Sequence, residues 1–137
     1  MRVFLDANIL FSAAKTDGAM RQLLRQLEER GHECWVDAYV VAEARRNLLA
    51  KGPEALTVLE ALLSHLRVAA SLPTAVSSAP VDWLPEKDRP VLTAAIRLGC
   101  DALVTGDRTH FGDGYGKTLG GVMVHSPRSL AEWLLRP

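Results

Sequence analysis

Four acidic residues lie where an apolar segment ends or a helix begins, and these residues are the best placed in the chain to do chemistry. They are Asp6, Glu43, Asp88 and Asp107. Asp6 directly follows the apolar run 3–5, and Asp107 follows the run 103–106, Leu-Val-Thr-Gly. Carboxylates are costly to bury without a partner, so several of them at the tips of buried strands predict a shared positive partner. A divalent metal ion is the expected partner, because hard cations prefer oxygen ligands.

Helical and extended patterns alternate along the chain and place these acids. Apolar periodicity and turn residues predict strands and helices with a loop at 72–85, which holds three prolines. The strands are predicted at 2–5, 34–36, 67–70, 102–105 and 122–124; the helices at 18–30, 37–51, 88–98 and 127–135, with another ending near residue 66. This alternation predicts an α/β fold, a three-layer α/β/α sandwich with a mainly parallel central sheet. In such sheets ligands bind beyond the carboxyl ends of the strands, where Asp6 and Asp107 lie.

Composition sets limits on the class of protein. A chain of 137 residues, 48% of them hydrophobic, predicts a single domain spanning 1–137. The 16 basic residues balance the 16 acidic ones, so bulk charge gives no electrostatic sign of a polyanion partner. This balance does not exclude nucleic acid, because bound metal ions can reverse the local sign of an acidic site. The chain has no apolar run long enough for a membrane span, and its start reaches Asp6 too soon for a signal peptide. Cys34 and Cys100 are expected to be small core residues of a reduced, cytoplasmic protein.

The order and spacing of several short motifs resemble those of PIN domains, the metal-dependent nuclease fold of VapC-type toxins in prokaryotic toxin–antitoxin pairs. The resemblance covers essentially the whole chain. It rests on Glu43 in the helix after the second strand, on Ser126-Pro127 opening the last helix, and on three longer motifs. These are Phe4-Leu5-Asp6-Ala7-Asn8, Asp88-Arg89-Pro90-Val91-Leu92-Thr93-Ala94-Ala95 and Leu103-Val104-Thr105-Gly106-Asp107-Arg108-Thr109-His110-Phe111.

The resemblance implies a role for each matching residue. Asp6, Glu43, Asp88 and Asp107 match the catalytic acids that bind Mg²⁺ or Mn²⁺, while Asn8 and Thr105 match the polar residues that support them. It further implies a ribonuclease that forms a homodimer and is held by an antitoxin protein. Lys87, Arg89 and Arg108 flank the acids in sequence and are expected to bind RNA. Residues 68–85 match no motif of the family.

Hydrolysis of an RNA phosphodiester needs this set of residues. One or two divalent ions can generate the nucleophile from water and stabilise charge on the phosphate. The carboxylates must therefore converge on a small volume, where without metal their mutual repulsion raises one or more pKa values. Glu43 and Asp107 are both candidates for orienting the attacking water, and the sequence does not choose between them.

Other interpretations of the same residues stay open. Asp88 and Asp107 are also well placed to cap helices, Glu43 to snorkel at a helix edge, and His110 to be a packed histidine. Asp101 and Asp113 have the spacing of turn residues. Phe4-Leu5-Asp6 also suggests a haloacid-dehalogenase-like phosphatase, but that class has a second aspartate where this chain has Asn8. The remaining alternative is a PIN-like binding module without catalysis.

Overall fold

A six-stranded sheet with strand order β3-β2-β1-β4-β6-β5 organises the molecule. The computed structural model describes residues 1–72 and 78–136. Each pair of neighbouring strands is parallel except β5 and β6. The strands are β1 (Arg2–Leu5), β2 (Glu33–Asp37), β3 (Arg67–Ala69), β4 (Ala102–Val104), β5 (Thr118–Leu119) and β6 (Val122–His125).

Helices flank this sheet, which confirms the predicted α/β/α arrangement with a mainly parallel sheet. Short 3₁₀ turns at Pro53–Ala55, Glu86–Asp88 and Gly112–Gly114 connect some of them. The helices are α1 (Ala7–Lys15), α2 (Ala19–Glu29), α3 (Ala38–Lys51), α4 (Leu56–Leu63), α5 (Arg89–Arg97), α6 (Arg108–Phe111) and α7 (Pro127–Leu134). None of the helices in the described part of the chain is long and apolar enough to cross a membrane.

The central strand β1 fixes the position of the site. Its residues Val3, Phe4 and Leu5 are fully buried, because strands on both sides and helices on both faces cover them. The chain leaves β1 for β2 on one side and returns to β4 on the other, and Leu5 pairs with Val104. The carboxyl ends of β1 and β4 therefore lie side by side at the point where the strand order reverses, which is where ligands bind in open α/β sheets.

Helix α1 was not predicted from the sequence. It buries Ile9 and Leu10 together with three alanines, and it packs against α2, α3 and α4. The helix has only nine residues, three of its buried residues are small alanines, and the sequence therefore shows no clear helical periodicity of large apolar residues. Asp6 is the N-cap of this helix, so a single residue separates the end of β1 from the start of α1.

Two helix boundaries and one further strand also differ from the prediction. Helix α4 ends at Leu63 rather than near residue 66, and the Ser64 hydroxyl donates to the carbonyl of Ala61 at 2.6 Å. Helix α5 begins at Arg89, because Asp88 belongs to a preceding 3₁₀ turn. The unpredicted strand β5 pairs with β6 through Gly120 and Gly121, whose φ angles of 56° and 84° suit a tight hairpin. Part of the predicted loop 72–85 lies outside the described residues.

Candidate metal centre

Asp6 lies at the bottom of the site, between the end of β1 and the start of α1. Its side chain is 5% exposed. One carboxylate oxygen, Oδ1, accepts a hydrogen bond from the Ala7 backbone N–H at 2.8 Å. The other, Oδ2, accepts from the Thr105 hydroxyl at 2.7 Å and from the Asn8 side-chain amide at 3.2 Å. Three donors from two adjacent strand ends thus fix the orientation of this carboxylate.

Asn8 and Thr105 join the ends of β1 and β4. The Asn8 Oδ1 accepts from the Gly106 N–H at 2.8 Å, and its Nδ2 lies 3.3 Å from the Thr105 hydroxyl oxygen. That hydroxyl oxygen also accepts from the backbone N–H of Asp107 at 3.1 Å. Thr105 itself is fully buried. These two residues therefore position Asp6 and the Gly106-Asp107 backbone relative to each other.

Burial has a marked effect on the Asp6 carboxyl. Removal from water, together with the smaller effect of the nearby Glu43 and Asp88 charges, raises its pKa from 3.8 to about 6. The hydrogen bonds from Thr105 and Ala7 act in the opposite direction but do not cancel the burial. A carboxyl group in this state gains from a nearby cation, because a positive charge favours its ionised form.

Asp88 and Asp107 meet at the imidazole of His110. The His110 Nδ1 lies 2.8 Å from Asp107 Oδ2 and 3.0 Å from Asp88 Oδ2. Asp107 Oδ1 accepts from the backbone N–H of His110 at 3.2 Å, so Asp107 also caps α6. Asp88 makes no capping hydrogen bond, and its buried Oδ2 finds no hydrogen-bond donor among the residues that the structure describes. Burial and the Asp107 charge raise the pKa of Asp88, while His110 and Lys87 lower it.

Glu43 extends from the second turn of α3 toward the same carboxylates. It is half-buried, and its charge raises the pKa of both Asp6 and Tyr39. Tyr39 precedes it by one helical turn, and its hydroxyl donates to the Lys87 carbonyl at 2.7 Å. The structure therefore places Asp88 and Asp107 with His110 so that their ligating atoms lie within 4.8 Å of one another, and it places Asp6 where the charges of Glu43 and Asp88 act on it.

Comparison with protein families decides what kind of domain this is. The family model for the PIN domain matches residues 2–109, a span that holds all four acids together with Asn8 and Thr105. The chain belongs to the PIN-domain family. No curated protein matches the chain.

Solved structures with the same fold include bacterial protein complexes. This PIN domain is similar to a chain of VapBC2 from Rickettsia felis bound to a DNA fragment from its promoter, with 17% identity, a TM-score of 0.66, and coverage of 92% of this chain and 98% of the other. A chain of FitAB bound to an IR36 DNA fragment has 16% identity, a TM-score of 0.62, and coverage of 91% and 94%. A chain of VapBC-1 from nontypeable Haemophilus influenzae has 13% identity, a TM-score of 0.62, and coverage of 93% of this chain and 99% of the other. At these identities the similarity shows the fold.

The three basic residues predicted to bind RNA differ in their surroundings. Lys87 is exposed, and its charge lowers the pKa of Asp88, so it lies at the rim of the site. Arg108 is also exposed, and its charge lowers the pKa of Tyr115. Arg89 instead donates to backbone carbonyls of the loop before it, those of Leu84 at 2.9 Å and Asp82 at 3.2 Å. Lys87 and Arg108 are therefore the better placed for an RNA phosphate.

Sequence reasoning missed two tyrosines and gave His110 too small a part. The Tyr115 hydroxyl donates to the Thr105 carbonyl at 2.8 Å, and the charges of Asp107 and Asp6 raise the pKa of Tyr115. Tyr39 had a detectable signal, because it lies four residues before Glu43 and so on the same helix face. Tyr115 had none, since only the folding of the Gly112–Gly114 turn brings it back to β4.

Proposed function

We propose that this PIN domain is a divalent-metal-dependent endoribonuclease that hydrolyses phosphodiester bonds in single-stranded or structured RNA and serves as the toxin of a toxin–antitoxin pair. The observation that carries the proposal is the acidic site beyond the carboxyl ends of β1 and β4, where the ligating atoms of Asp88, Asp107 and His110 lie within 4.8 Å of one another and the charges of Glu43 and Asp88 act on the buried Asp6. Family membership argues against the phosphatase alternative.

The donor set fits a hard divalent cation. Asp6, Glu43, Asp88 and Asp107 offer carboxylate oxygens, and Asp88 Oδ2 is buried without a hydrogen-bond donor in the described structure. A buried acceptor without a partner is costly, and a cation would relieve that cost. These four acids would hold Mg²⁺ or Mn²⁺, and the ion would supply positive charge to stabilise phosphate oxygens and promote ionisation of the attacking water.

The chain's own residues do the remaining work. Asn8 and Thr105 hold the Asp6 carboxylate in one orientation through the hydrogen bonds described above. Lys87 and Arg108 at the rim would bind phosphates on either side of the scissile bond, which positions the substrate without reading its sequence. Glu43 is half-buried, whereas both oxygens of Asp107 contact His110. We therefore assign the orientation of the attacking water to Glu43 in preference to Asp107.

The toxin role and its partners rest on analogy with the structural neighbours, which are named as VapBC and FitAB assemblies. By this analogy an antitoxin protein binds the domain, whereas the homodimer is proposed from the family resemblance alone. The two buried cysteines, Cys34 and Cys100, are both free, which fits a reducing cytoplasm.

Cleavage of a labelled RNA by the purified protein, with Mg²⁺, Mn²⁺ or a chelator, tests the proposal. We expect metal-dependent cleavage that Asp6→Asn and Asp88→Asn abolish. Asp113→Asn is the matched control, because Asp113 is an exposed aspartate near the site, and this variant should cleave at the parental rate.

The same assay separates the alternatives. Binding of RNA without cleavage under any metal condition would favour the binding module. Release of phosphate from a generic phosphomonoester, with RNA left intact, would favour a phosphatase. Cleavage by Asp6→Asn at the parental rate would show that the proposed site is not the active site.

A further inference from the structure

His110 holds an unusual place between two of the acids. It lies three residues after Asp107 in the one-turn helix α6, and both its backbone N–H and its ring contact that residue. The same ring nitrogen, Nδ1, approaches Asp88, which comes from a different element. The imidazole is partly buried, with 30% of its side chain exposed.

The spacing of the three groups is that of atoms sharing an ion. The ligating atoms of Asp88, Asp107 and His110 lie within 4.8 Å of one another, and Nδ1 lies 2.8 Å and 3.0 Å from the two carboxylate oxygens. Adjacent ligands of an octahedral ion with bonds of about 2.1 Å lie roughly 3 Å apart. If the three groups formed only an ion pair, the imidazole would be expected to hydrogen-bond both carboxylate oxygens.

The hydrogen bonds do not match that simple ion pair. Nδ1 hydrogen-bonds Asp107 Oδ2 but not Asp88 Oδ2, although both oxygens are close to it. Asp88 Oδ2 is buried, and in the described structure it has an ion-pair contact with His110 but no hydrogen-bond donor. The imidazole thus favours the Asp88 carboxylate through its charge without hydrogen-bonding the buried oxygen, and an ion touching all three atoms would give that oxygen a direct ligand contact.

We propose that His110 is a ligand of the divalent ion through Nδ1, and that this nitrogen makes the site prefer Mn²⁺ to Mg²⁺. The other donors in the site are carboxylate oxygens, which suit both ions. Imidazole suits first-row transition ions, whereas Mg²⁺ is held through oxygen and gives up its bound water reluctantly. This inference rests on the proposed metal-dependent function and adds one ligand and a selectivity to it.

Pulsed electron paramagnetic resonance on the parent protein loaded with Mn²⁺ tests the ligand directly. A coordinated imidazole gives a ¹⁴N hyperfine coupling at the Mn²⁺ centre. We expect this coupling in the parent protein and its loss in His110→Asn. A spectrum of bound Mn²⁺ without nitrogen coupling in the parent would overturn the proposal, and this measurement does not depend on the folding of any variant.

Calorimetric titration with Mn²⁺ and with Mg²⁺ tests the selectivity. His110→Asn keeps a polar group near the Nδ1 position but removes the imidazole. We expect it to weaken Mn²⁺ binding by about tenfold or more, since even residues that only orient metal ligands contribute that much, and to leave Mg²⁺ binding within about twofold. His65→Asn is the matched control, because His65 Nδ1 also lies 3.0 Å from a carboxylate oxygen, that of Glu28, on the exposed surface.

The outcomes separate this proposal from the proposed function. If Asp88→Asn loses Mn²⁺ binding while His110→Asn binds both ions like the parent or more tightly, the metal centre stands and His110 is only a counter-ion for the acids. If Asp6→Asn and Asp88→Asn both bind Mn²⁺ like the parent, the metal centre itself is wrong.

Discussion

Replacement of Asp6 by asparagine in the absence of metal is expected to stabilise the fold at neutral pH. In the folded protein, burial raises the pKa of the Asp6 carboxyl from 3.8 to about 6 against the opposing hydrogen bonds of Thr105 and Ala7. At pH 7 the folded chain must therefore keep a carboxylate ionised in a place that disfavours the charge. Asparagine has nearly the same shape and carries no charge.

The size of the effect follows from the shift in pKa. A difference of about two units between the folded and unfolded states corresponds to roughly 3 kcal/mol at neutral pH. The side-chain oxygen of the introduced asparagine can still accept from Ala7. The Thr105 hydroxyl and the Asn8 amide both lose the Oδ2 acceptor, because the Thr105 oxygen already accepts from the Asn8 amide and the Asp107 N–H, while the Asn8 Oδ1 is held by the Gly106 N–H. At about 1 kcal/mol for each lost hydrogen bond, the net gain in unfolding free energy is about 1 kcal/mol.

Urea unfolding from pH 4 to pH 8 with a chelator present measures this difference. Because the folded pKa lies above the unfolded one, the parent protein gains stability as pH falls from about 6 to about 4 and the buried carboxyl takes up its proton. Asp6→Asn lacks this pH dependence, so its advantage should be largest above pH 6 and shrink toward pH 4.

The exposed Asp113 supplies the control, since Asp113→Asn should follow the parent at every pH. An Asp6→Asn protein that is less stable than the parent at pH 7, or whose advantage does not change with pH, would refute the reasoning from burial.

Three further predictions concern the substrate, the packing and the assembly. Arg108→Ala should reduce the slope of log affinity against log salt for single-stranded RNA by about 0.7, in anisotropy titrations without metal, whereas Arg67→Ala, at the other end of the sheet, should leave it unchanged. Gly114→Ala should lower the free energy of unfolding in urea by about 1–3 kcal/mol, because the added Cβ would lie 2.5 Å from Trp83 Cη2. The Trp83 indole is held by a hydrogen bond to the Pro80 carbonyl and cannot easily move away. A variant with the parental urea midpoint would contradict this prediction. Light scattering at micromolar concentration should give a dimer mass, and a monomer mass at all concentrations would remove the homodimer without affecting the nuclease.

The strands that position Asp6 and Asp107 could be predicted because their side chains are buried on both faces. A strand covered by helices on both sides has a continuous apolar run, and Phe4-Leu5 and Leu103-Val104 are such runs. The acid that follows each run marks the strand's carboxyl end. Parallel pairing of β1 with β4 then puts both strand ends, and the residues that follow them, at the same edge of the sheet.

Contacts that depend on side-chain direction could not be predicted. The sequence identified His110 as a residue near Asp107, but not that its Nδ1 also reaches Asp88, since that depends on how the 3₁₀ turn before α5 packs against α6. Helix α1 was missed for a different reason: its burial comes from packing against three other helices, and small alanines form that contact without a strong apolar signal.

The two interpretations of the strand-end acids, helix cap and metal ligand, turn out to be compatible. Asp6 uses Oδ1 to accept from the first N–H of α1, and Asp107 uses Oδ1 to cap α6. Each cap fixes one oxygen and so restricts the direction of the other, and the Oδ2 atoms contact Thr105 and His110. A helix N-terminus also favours a carboxylate in its charged form. Asp88 lacks such a hydrogen bond. A sequence shows only that an aspartate precedes a helix. It cannot distinguish an acid with one oxygen fixed by a cap from one whose buried oxygen lacks a hydrogen bond, and the second kind gains more from a cation.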